Sequence, residues 1–477
     1  MSTNELRNFL AIPYDELEEL NLKAKEQRRS WVAGHKVQQE RLDYLSREKR
    51  IKAVTVLFSD LEGRLHMLDY DKKFLINSWD NLTFDGSSIR GFTAQRESDL
   101  RLGIDWGAFY WGPADIFGPG KVLVFGDVID KNGEPYPADI RGVLKHYADK
   151  LYAKQGYTLN AANEIEGFLF RGSDAERRYH ETGKFEYVNT GGYFHSLPGD
   201  TLRTFIDTVA EVQRAMGFQN EKDHPEVAPS QFEINYGYGE VVAAADQIQL
   251  YKLVCRQVAT KMGCTASFLP KPVVGVNGSG MHTNVSVSKG GKNLFWDAKG
   301  DEKLSKMGWE FLDRILTHGN DICLIMNPSV NAYRRLDPHF EAPNQLKASP
   351  TDRGAMVRIP IGNERSMRIE VRAVAPDANP YMVMYGVFKT GLEGDTAKIK
   401  NLRQAQRYLP DNIYDAMANF RKAEWITKLF GEDVKSRYLD LKQASADRCP
   451  RLLGTYVKAP EVQYHHDVYN QFLWNLF

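Results

Sequence analysis

Cysteine is scarce in this sequence, with four residues among 477, at Cys255, Cys264, Cys323 and Cys449. They lie far apart and form no Cys-x-x-Cys pair, which argues against a zinc knuckle and against a disulfide framework. We therefore expect reduced cysteines that serve packing in a cytoplasmic protein.

The sequence also lacks an excess of charge of either sign. Lys and Arg together number 62, as do Asp and Glu, so the formal net charge is zero and no general attraction to nucleic acid or anionic membrane follows. No apolar run is long enough to cross a bilayer, and acidic residues scattered through positions 1–20 argue against a secretory signal. We expect partners that are small molecules or copies of the same chain.

Changes in composition and hydrophobic pattern divide the chain into three parts. Residues 1–48 are charge-rich, with apolar residues spaced as in surface helices. The next part, 49–136, begins with a strand, turn, strand pattern and has a further predicted strand at 122–129. The segment 130–140, rich in Gly, Pro and Asp, marks the boundary to 137–477, where short strands alternate with helices. The pattern predicts an α+β protein.

Four segments of the last part alternate apolar and polar residues with the period of a β-strand. They are NEIEGFLF (163–170), SQFEINY (230–236), MHTNVSVS (281–288) and MRIEVR (367–372). One such strand is more simply explained by an antiparallel sheet with one face in water. Four together favour a shared polar trough, because their polar faces carry carboxylates, an imidazole and arginines, which suit metal ions and phosphate.

This trough would concentrate metal ligands. Its donors are Glu164, Glu166, Glu226, Glu233, Glu370 and His282. Five carboxylates and one imidazole suit Mg²⁺ or Mn²⁺ better than zinc. At an effective dielectric of about 20, buried carboxylates this close would repel each other by several kcal/mol per pair unless cations lay between them.

Arginines supply positive charge to the same segments. They are Arg335, Arg353, Arg358, Arg365, Arg368 and Arg372. Any one of them is more simply a surface or ion-paired residue, but their concentration beside Glu341 and Glu370 favours a phosphoryl-transfer site. The glycine-rich NGSGMH (277–282) is a weaker signal, since its glycines could merely permit a turn.

The motifs resemble those of type I glutamine synthetase over nearly all of residues 50–390. FDGSSIRGF (84–92) and ESDLRL (97–102) are similar to the family's N-terminal signature. The catalytic-domain motifs are NEIEGFLF, GGYF (191–194), HPEVAPSQFEIN (224–235), LPKPVVGVNGSGMH (269–282), NPSVNAYRRL (327–336), FEAP (340–343), TDRGAMVRIP (351–360) and MRIEVR. The resemblance implies a small N-terminal β-grasp domain followed by a large catalytic domain with a curved antiparallel sheet flanked by helices.

The resemblance also implies roles for individual residues. The ligands of one metal match Glu166, Glu226 and Glu233, and those of a second match Glu164, His282 and Glu370, with two or three Mg²⁺ or Mn²⁺ ions per site. Glutamate contacts match Arg335, Arg372, Asn277 and Gly278. Nucleotide contacts match Glu221, Ser286, Arg353, Arg358, Arg365 and Arg368. Of these, Arg353 and Arg358 match arginines that stabilise the transferring phosphoryl group.

The implied reaction joins ammonia to the γ-carboxylate of glutamate through γ-glutamyl phosphate, at the expense of ATP. Residues matching the ammonium site are Asp85, Ser88, Tyr193, Glu226 and Glu341. Glu341 also matches the family's flap residue, which shields the acyl phosphate from water.

The resemblance implies sites shared between subunits, because Asp85 lies in the N-terminal part. The family's assembly is a dodecamer of two hexameric rings. An apolar stripe with helical spacing lies near the C-terminus, at Tyr469, Phe472, Leu473, Leu476 and Phe477. By itself it could fold back onto its own domain as a closing helix. The resemblance implies that it inserts into the opposite ring and joins the two rings.

The sequence departs from the family's pattern in four places. Asn284 stands where the family has a nucleotide-side histidine. The segment 390–411 is too short for the family's adenylylated tyrosine loop, so we do not expect control by adenylylation. Residues 1–48 and 449–466 match the pattern poorly.

Two other functions compete with ammonia ligation. One is a ligase that couples glutamate to methylamine, a polyamine or an aromatic amine, and the other is a catalytically silent homologue. The small polar cage that matches the ammonium site favours ammonia, and six competent metal-ligand positions argue against silence.

Overall fold

The structure, a computed structural model, describes residues 10–95, 98–195, 197–336, 342–396, 402–403 and 406–453. Glu341 and the C-terminal stripe lie outside the described residues, so the roles expected of them stay predictions. Cys255, Cys264 and Cys323 are free and buried, as expected.

Helices occupy both ends and the middle of the described chain. They are α1 Tyr14–Arg29, α2 Gly34–Arg47, α3 Lys72–Ser78, α4 Ala114–Phe117, α5 Ile140–Gln155, α6 Ala175–Thr182, α7 Thr201–Ala215, α8 Val241–Lys261, α9 Lys306–His318, α10 Cys323–Met326, α11 Val330–Arg335, α12 Pro380–Glu393, α13 Ile413–Lys422 and α14 Glu424–Leu453. None of these described helices is long and apolar enough to span a membrane.

The strands alternate with the helices along the chain. They are β1 Ala53–Ser59, β2 Leu65–Asp71, β3 Leu82–Asp85, β4 Asp99–Tyr110, β5 Lys121–Ile129, β6 Tyr157–Arg171, β7 Asn220–Pro225, β8 Gln231–Tyr236, β9 Gly239–Glu240, β10 Cys264–Ser267, β11 Met281–Lys289, β12 Lys292–Asn293, β13 Gln345–Ser349, β14 Ala355–Arg358 and β15 Ile369–Val371. Together with the helices they confirm the α+β class.

Two sheets form within the described residues. The first has the order β2-β1-β5-β4-β3, with β1 and β5 parallel and the other neighbours antiparallel, and α3 packs beside β1 and β2. This arrangement agrees with the expected β-grasp. The second sheet curls into a half-barrel with the order β13-β14-β15-β11-β6-β8-β7, to which β9, β10 and β12 add at β6 and β11. It is antiparallel apart from the parallel pair β13 and β14.

The four alternating segments predicted from the sequence become the adjacent strands β15, β11, β6 and β8. Their apolar residues pack into the core, where Ile165, Phe232 and Ile369 are fully buried. Because side chains of a strand alternate between its two faces, the carboxylates, the imidazole and the arginines predicted from these four segments share the other face. The predicted trough is therefore present.

Helix boundaries follow local capping signals. α5 begins at Ile140 and ends before Gly156, which stops it in the left-handed conformation with φ 71°. α8 begins at Val241, because the Glu240 side chain accepts hydrogen bonds from the backbone N–H groups of Val242 and Ala243.

The N-terminal helices are more deeply embedded than their charge-rich sequence predicts. The inner face of α1 buries Leu17, Asn21 and Ala24. The Asn21 side chain donates to the carbonyls of Trp111 and Ala215 at 2.9 and 2.8 Å and accepts from the Trp111 N–H at 3.0 Å. One amide therefore ties α1 to the end of β4 and to the end of α7.

A buried ionic network joins helices α1, α5 and α8 to the first sheet. The Arg141 guanidinium on α5 donates to both carboxylate oxygens of Asp246 on α8, at 2.8 Å each, and to Asp105 on β4 at 2.9 Å. It also pairs with Asp127 on β5. Arg28 of α1 adds to the network at 3.8 Å from Asp105. Each of these carboxylates is paired, as buried charges must be.

We expect Asn21→Ala to lower the thermal unfolding midpoint, because each buried polar group left without a partner costs about 1–3 kcal/mol. Scanning calorimetry should show a clear loss in this variant. Gln39→Ala, which removes an exposed amide from α2, is the control and should leave the midpoint unchanged. Equal midpoints for the two variants would show that α1 is not a structural part of the protein.

Candidate active site

The register of the second sheet brings the predicted metal donors into opposition. His282 on β11 lies opposite Glu164 on β6, and Glu166 on β6 lies opposite Glu233 on β8. Glu370 on β15 lies next to the same face, paired with Asn284 of β11. The donors meet because these three registers place them at neighbouring positions on one face of the sheet.

Glu164, His282 and Glu370 form the first donor group. One donor atom from each lies within 4.8 Å of the others. The His282 Nδ1 atom is 3.7 Å from Glu164 Oε2 and 3.5 Å from Glu370 Oε1. This is the set expected to hold one divalent cation.

His224, Glu226 and Glu233 form the second donor group, again with donor atoms within 4.8 Å. His224 was not among the predicted ligands. Its Nδ1 is 3.6 Å from Glu226 and its buried Nε2, which has no hydrogen-bond partner among the described residues, is 3.9 Å from Glu233. The signal was available in the sequence, since His224 and Glu226 are two residues apart around Pro225 and so share a strand face.

Glu166 lies beside the second group and is held by the segment that precedes β11. Its Oε2 accepts from the Gly280 N–H at 2.7 Å and from the Gln231 side chain at 3.4 Å. Gln231 also donates to the Gly278 carbonyl at 3.0 Å. Gln231 therefore links the carboxylate to the glycine-rich segment, a role that the sequence analysis did not assign.

The close carboxylates shift one another's pKa values. Burial, together with Glu166 and Glu233, raises the pKa of Glu226 to about 9. Burial and Glu233 likewise raise the pKa of Glu166, against the opposing effect of His282. Burial also opposes ionisation of Glu164, but His282, the hydrogen bond from Asn284 and the charge of Lys222 together outweigh burial and lower the pKa of that carboxyl.

These shifts fit a site for divalent cations. The surrounding protein groups raise the pKa values of Glu166 and Glu226 and so favour their neutral forms. A cation between the two carboxylates would favour the ionised forms instead. Oxygen donors predominate in both groups, which suits Mg²⁺ or Mn²⁺.

The arginines lie along one edge of the donor groups. Glu370 pairs with Arg358 of β14 at 2.8 Å and with Arg372 at 3.2 Å. Arg335, at the end of α11, is buried and donates to the Arg372 carbonyl at 3.0 Å. Burial lowers the pKa of Arg335 to about 10, so its charge is poorly solvated and suited to an anionic ligand.

The glycines of the NGSG segment are required by close packing. A Cβ atom at Gly280 would lie 2.5 Å from Arg335 Nη2 and 2.9 Å from His282 Nε2. At Gly278 it would lie 2.5 Å from the Pro270 carbonyl and 3.1 Å from the Arg335 side chain. The segment therefore does more than turn the chain, because it leaves room for Arg335.

The predicted nucleotide residues spread outward from this cluster. Arg368 donates from Nε to Asn284 at 2.8 Å, and the Arg353 carbonyl accepts from the Arg372 guanidinium. Ser286 is half-buried on β11 and Glu221 is exposed on β7. Arg365 lies in an exposed turn, where its backbone N–H donates to the Asn363 side chain, so the structure does not bring it into the cluster.

The predicted ammonium residues fall into two places. Tyr193 lies close enough to Glu226 and Glu233 for burial and these carboxylates to raise its pKa. Asp85 ends β3 of the first sheet, where it accepts hydrogen bonds from the hydroxyls of Ser87 and Ser88 at 2.6 and 2.7 Å. Among the described residues, none of the hydrogen bonds or ion pairs of Asp85 reaches the second sheet.

The raised pKa of Glu226 predicts how stability depends on pH in metal-free protein. Folded protein keeps the Glu226 proton up to about pH 9, whereas an unfolded chain releases it near the ordinary value of 4.5. Between these values the folded state binds more protons, so this group's contribution to stability falls as pH rises. The glutamine of Glu226→Gln cannot ionise. With a chelator present, the thermal midpoint of this variant minus that of wild type should therefore increase as pH rises from 5 to 8.5.

Glu211→Gln is the control for this experiment, because it changes an exposed carboxylate on α7. If the thermal midpoints of wild type and Glu226→Gln differ by the same amount at every pH, the pKa of Glu226 is not raised. Added Mn²⁺ should raise the wild-type midpoint more than that of Glu226→Gln, since only wild type offers the carboxylate.

Comparisons with known proteins place this geometry in a family. Residues 137–456, more than half of the chain, match the model of the glutamine synthetase catalytic domain. A glutamine synthetase of Methanosarcina mazei is 35% identical over 422 residues, covering 84% of this chain and 92% of that protein. One from Clostridium saccharobutylicum is 34% identical over 424 residues, covering 84% and 94%.

The fold agrees with a solved structure as well. A cryo-EM structure of Plasmodium falciparum glutamine synthetase matches with a TM-score of 0.77, covering 89% of this chain and 98% of that chain at 21% sequence identity. This structural match shows a shared fold, and the two curated relatives show that the sequence is shared as well. The chain therefore belongs to the glutamine synthetase family of enzymes.

Proposed function

We propose that this chain is a glutamate–ammonia ligase that forms glutamine with ATP and divalent cations. The observation that carries the proposal is that two metal-donor groups and a row of arginines meet on adjacent strands of one sheet. Carboxylates that bind cations, placed beside guanidinium groups, are typical of phosphoryl-transfer sites. Membership of the glutamine synthetase family names the acceptor as glutamate.

Glutamate binds at the arginine side of the trough. Arg335 and Arg372 contact its carboxylate groups, and Asn277 and Gly278 contact its amino-acid end. The partial desolvation of Arg335 supports this assignment, because a buried guanidinium gains most from a bidentate carboxylate.

The nucleotide contacts Glu221, Ser286, Arg365 and Arg368. Arg353 and Arg358 stabilise the charge that develops on the transferring phosphoryl group. Two or three Mg²⁺ or Mn²⁺ ions, held by the two donor groups with Glu166, supply Lewis-acid charge to the phosphate oxygens when bound.

The reaction proceeds in two displacements. A γ-carboxylate oxygen of glutamate attacks the γ-phosphorus of ATP, and the bond to ADP breaks to give γ-glutamyl phosphate. Ammonium loses a proton to a carboxylate of the group Asp85, Glu226 and Glu341, beside Tyr193 and Ser88. Ammonia then attacks the acyl carbon, phosphate leaves and glutamine forms. Glu341 shields the acyl phosphate from water.

The active site is shared between neighbouring subunits of a homo-oligomer, a dodecamer of two rings. Asp85 and Ser88 support this arrangement, because they are exposed on the first sheet with hydrogen bonds to their own loop. The same proposal divides the chain into a helical extension (1–48), a β-grasp domain (49–136) and a catalytic domain (137–477).

Phosphate release from ATP, measured with glutamate and a panel of amines, tests the function. We expect release with ammonia and stoichiometric glutamine by mass spectrometry. A preference for methylamine, a polyamine or an aromatic amine would replace ammonia by that amine and keep the ligase chemistry. Without release for any amine, in protein that binds nucleotide and Mn²⁺, the ligase proposal would be wrong.

Shared sites predict complementation between two inactive variants. Asp85→Ala and Arg353→Ala should each lose most activity, because each removes a charge from the reaction site. After denaturation and renaturation as an equal mixture, about one site in four should combine two intact halves and regain activity. Each variant renatured alone is the control. Mixed oligomers, verified by mass spectrometry, that stay inactive would place the whole site within one chain.

A further inference from the structure

Asn284 occupies the centre of the trough without being one of its expected ligands. It lies on β11, where its backbone pairs with Glu370 of β15 on one side and Ala162 of β6 on the other. Its side chain shares a face with His282, two residues earlier. Only 4% of the residue is exposed. A buried amide needs partners for both its ends.

Both ends of this amide have a partner. The Asn284 Nδ2 atom donates to Glu164 Oε1 at 3.2 Å, and its Oδ1 accepts from Arg368 Nε at 2.8 Å. A carboxylate can only accept and a guanidinium can only donate, so these two contacts fix the orientation of the amide. Asn284 thus joins a member of the first donor group to an arginine expected to contact nucleotide.

The two hydrogen bonds of Asn284 are the shorter of the side-chain contacts that the structure shows for Glu164 and Arg368. Glu164 receives its other contact from His282, at 3.7 Å. The remaining hydrogen bond of Arg368 that the structure shows goes from Nη1 to the Ser366 carbonyl, at 3.3 Å in an exposed turn. The direction of the Arg368 side chain towards the trough therefore depends on the amide.

We propose that Asn284 is a positioning residue that holds Glu164 and Arg368 in one arrangement, so that a single amide sets both the cation site and the nucleotide site. This inference rests on the proposed function, since it takes Arg368 as a nucleotide contact. Asn284 acts through its two neighbours and touches neither the reacting carboxylate nor the amine. Groups that orient metal ligands in this way usually change metal affinity when they are removed.

Binding measurements on Asn284→Leu test the inference without turnover. Leucine keeps the branching at Cγ but has no polar atoms, so Glu164 and Arg368 each lose one partner. Mn²⁺ affinity without nucleotide and ADP affinity without Mn²⁺, both by isothermal titration calorimetry, should each fall about tenfold. Asn284→Ala, which cannot overpack the site, should show the same pair of losses and serves if Asn284→Leu does not fold.

Asn163→Leu is the matched control. Asn163 is a buried asparagine on β6, next to Glu164, and its side chain donates to Thr283 at 3.0 Å on the opposite face of the same two strands. Its loss should cost thermal stability to a similar degree while leaving both affinities within about twofold of wild type. An equal loss of affinity in this control would show that sheet stability, and not the position of Asn284, sets binding.

A double-mutant cycle with Arg368→Gln decides whether Asn284 acts through Arg368. Arg368→Gln alone should weaken ADP and leave Mn²⁺ affinity unchanged. The double variant should bind ADP no more weakly than Arg368→Gln, because the two residues share one effect. Additive losses of ADP affinity, or an Asn284→Leu protein that binds both probes as wild type does, would overturn the inference. These binding results stand apart from the amine assay, whose failure would remove the ligase function alone.

Discussion

Repulsion between carboxylates is the constraint around which this protein is built. Glu166 and Glu233 face each other across two paired strands, and Glu226 lies close enough to both for its pKa to rise to about 9. An arrangement of this kind costs stability in the free protein, and it persists because the strands are anchored elsewhere by a large apolar core. A cation bound between these carboxylates would relieve the repulsion.

The anchoring is distributed over several buried polar joints. Arg141 of α5 connects two carboxylates of the first sheet to Asp246 of α8. Asn21 attaches α1 to the end of β4 and to α7, and Lys442 of α14 pairs at 2.7 Å with buried Glu62, which follows β1. These joints carry charges or amides that tolerate few substitutes, since removal of one partner leaves another buried and unpaired. They hold the surrounding helices in a fixed relation to the first sheet.

Sequence patterns predicted much of the site for a physical reason. Alternation with period two identifies which residues share a strand face, and it correctly selected the four strands that prove adjacent. It could not supply strand order or register, which decide that Glu164 meets His282 and that Asn284 meets Glu164 and Arg368. Gln231 was missed because an amide in a strand gives no sign of its partners. His224 was visible on the face of Glu226 and was passed over.

Element types, the set of possible metal donors and the family resemblance could be predicted from the sequence, because these depend on residue identity and local spacing. The grouping of the donors, the room that Gly278 and Gly280 leave for Arg335, and the position of Arg365 in an exposed turn are set by the folded chain. The tertiary structure also placed the charge-rich first helix against two other elements, although its sequence is typical of a surface helix. Such outcomes depend on contacts between residues far apart in the chain, and local periodicity carries no information about them.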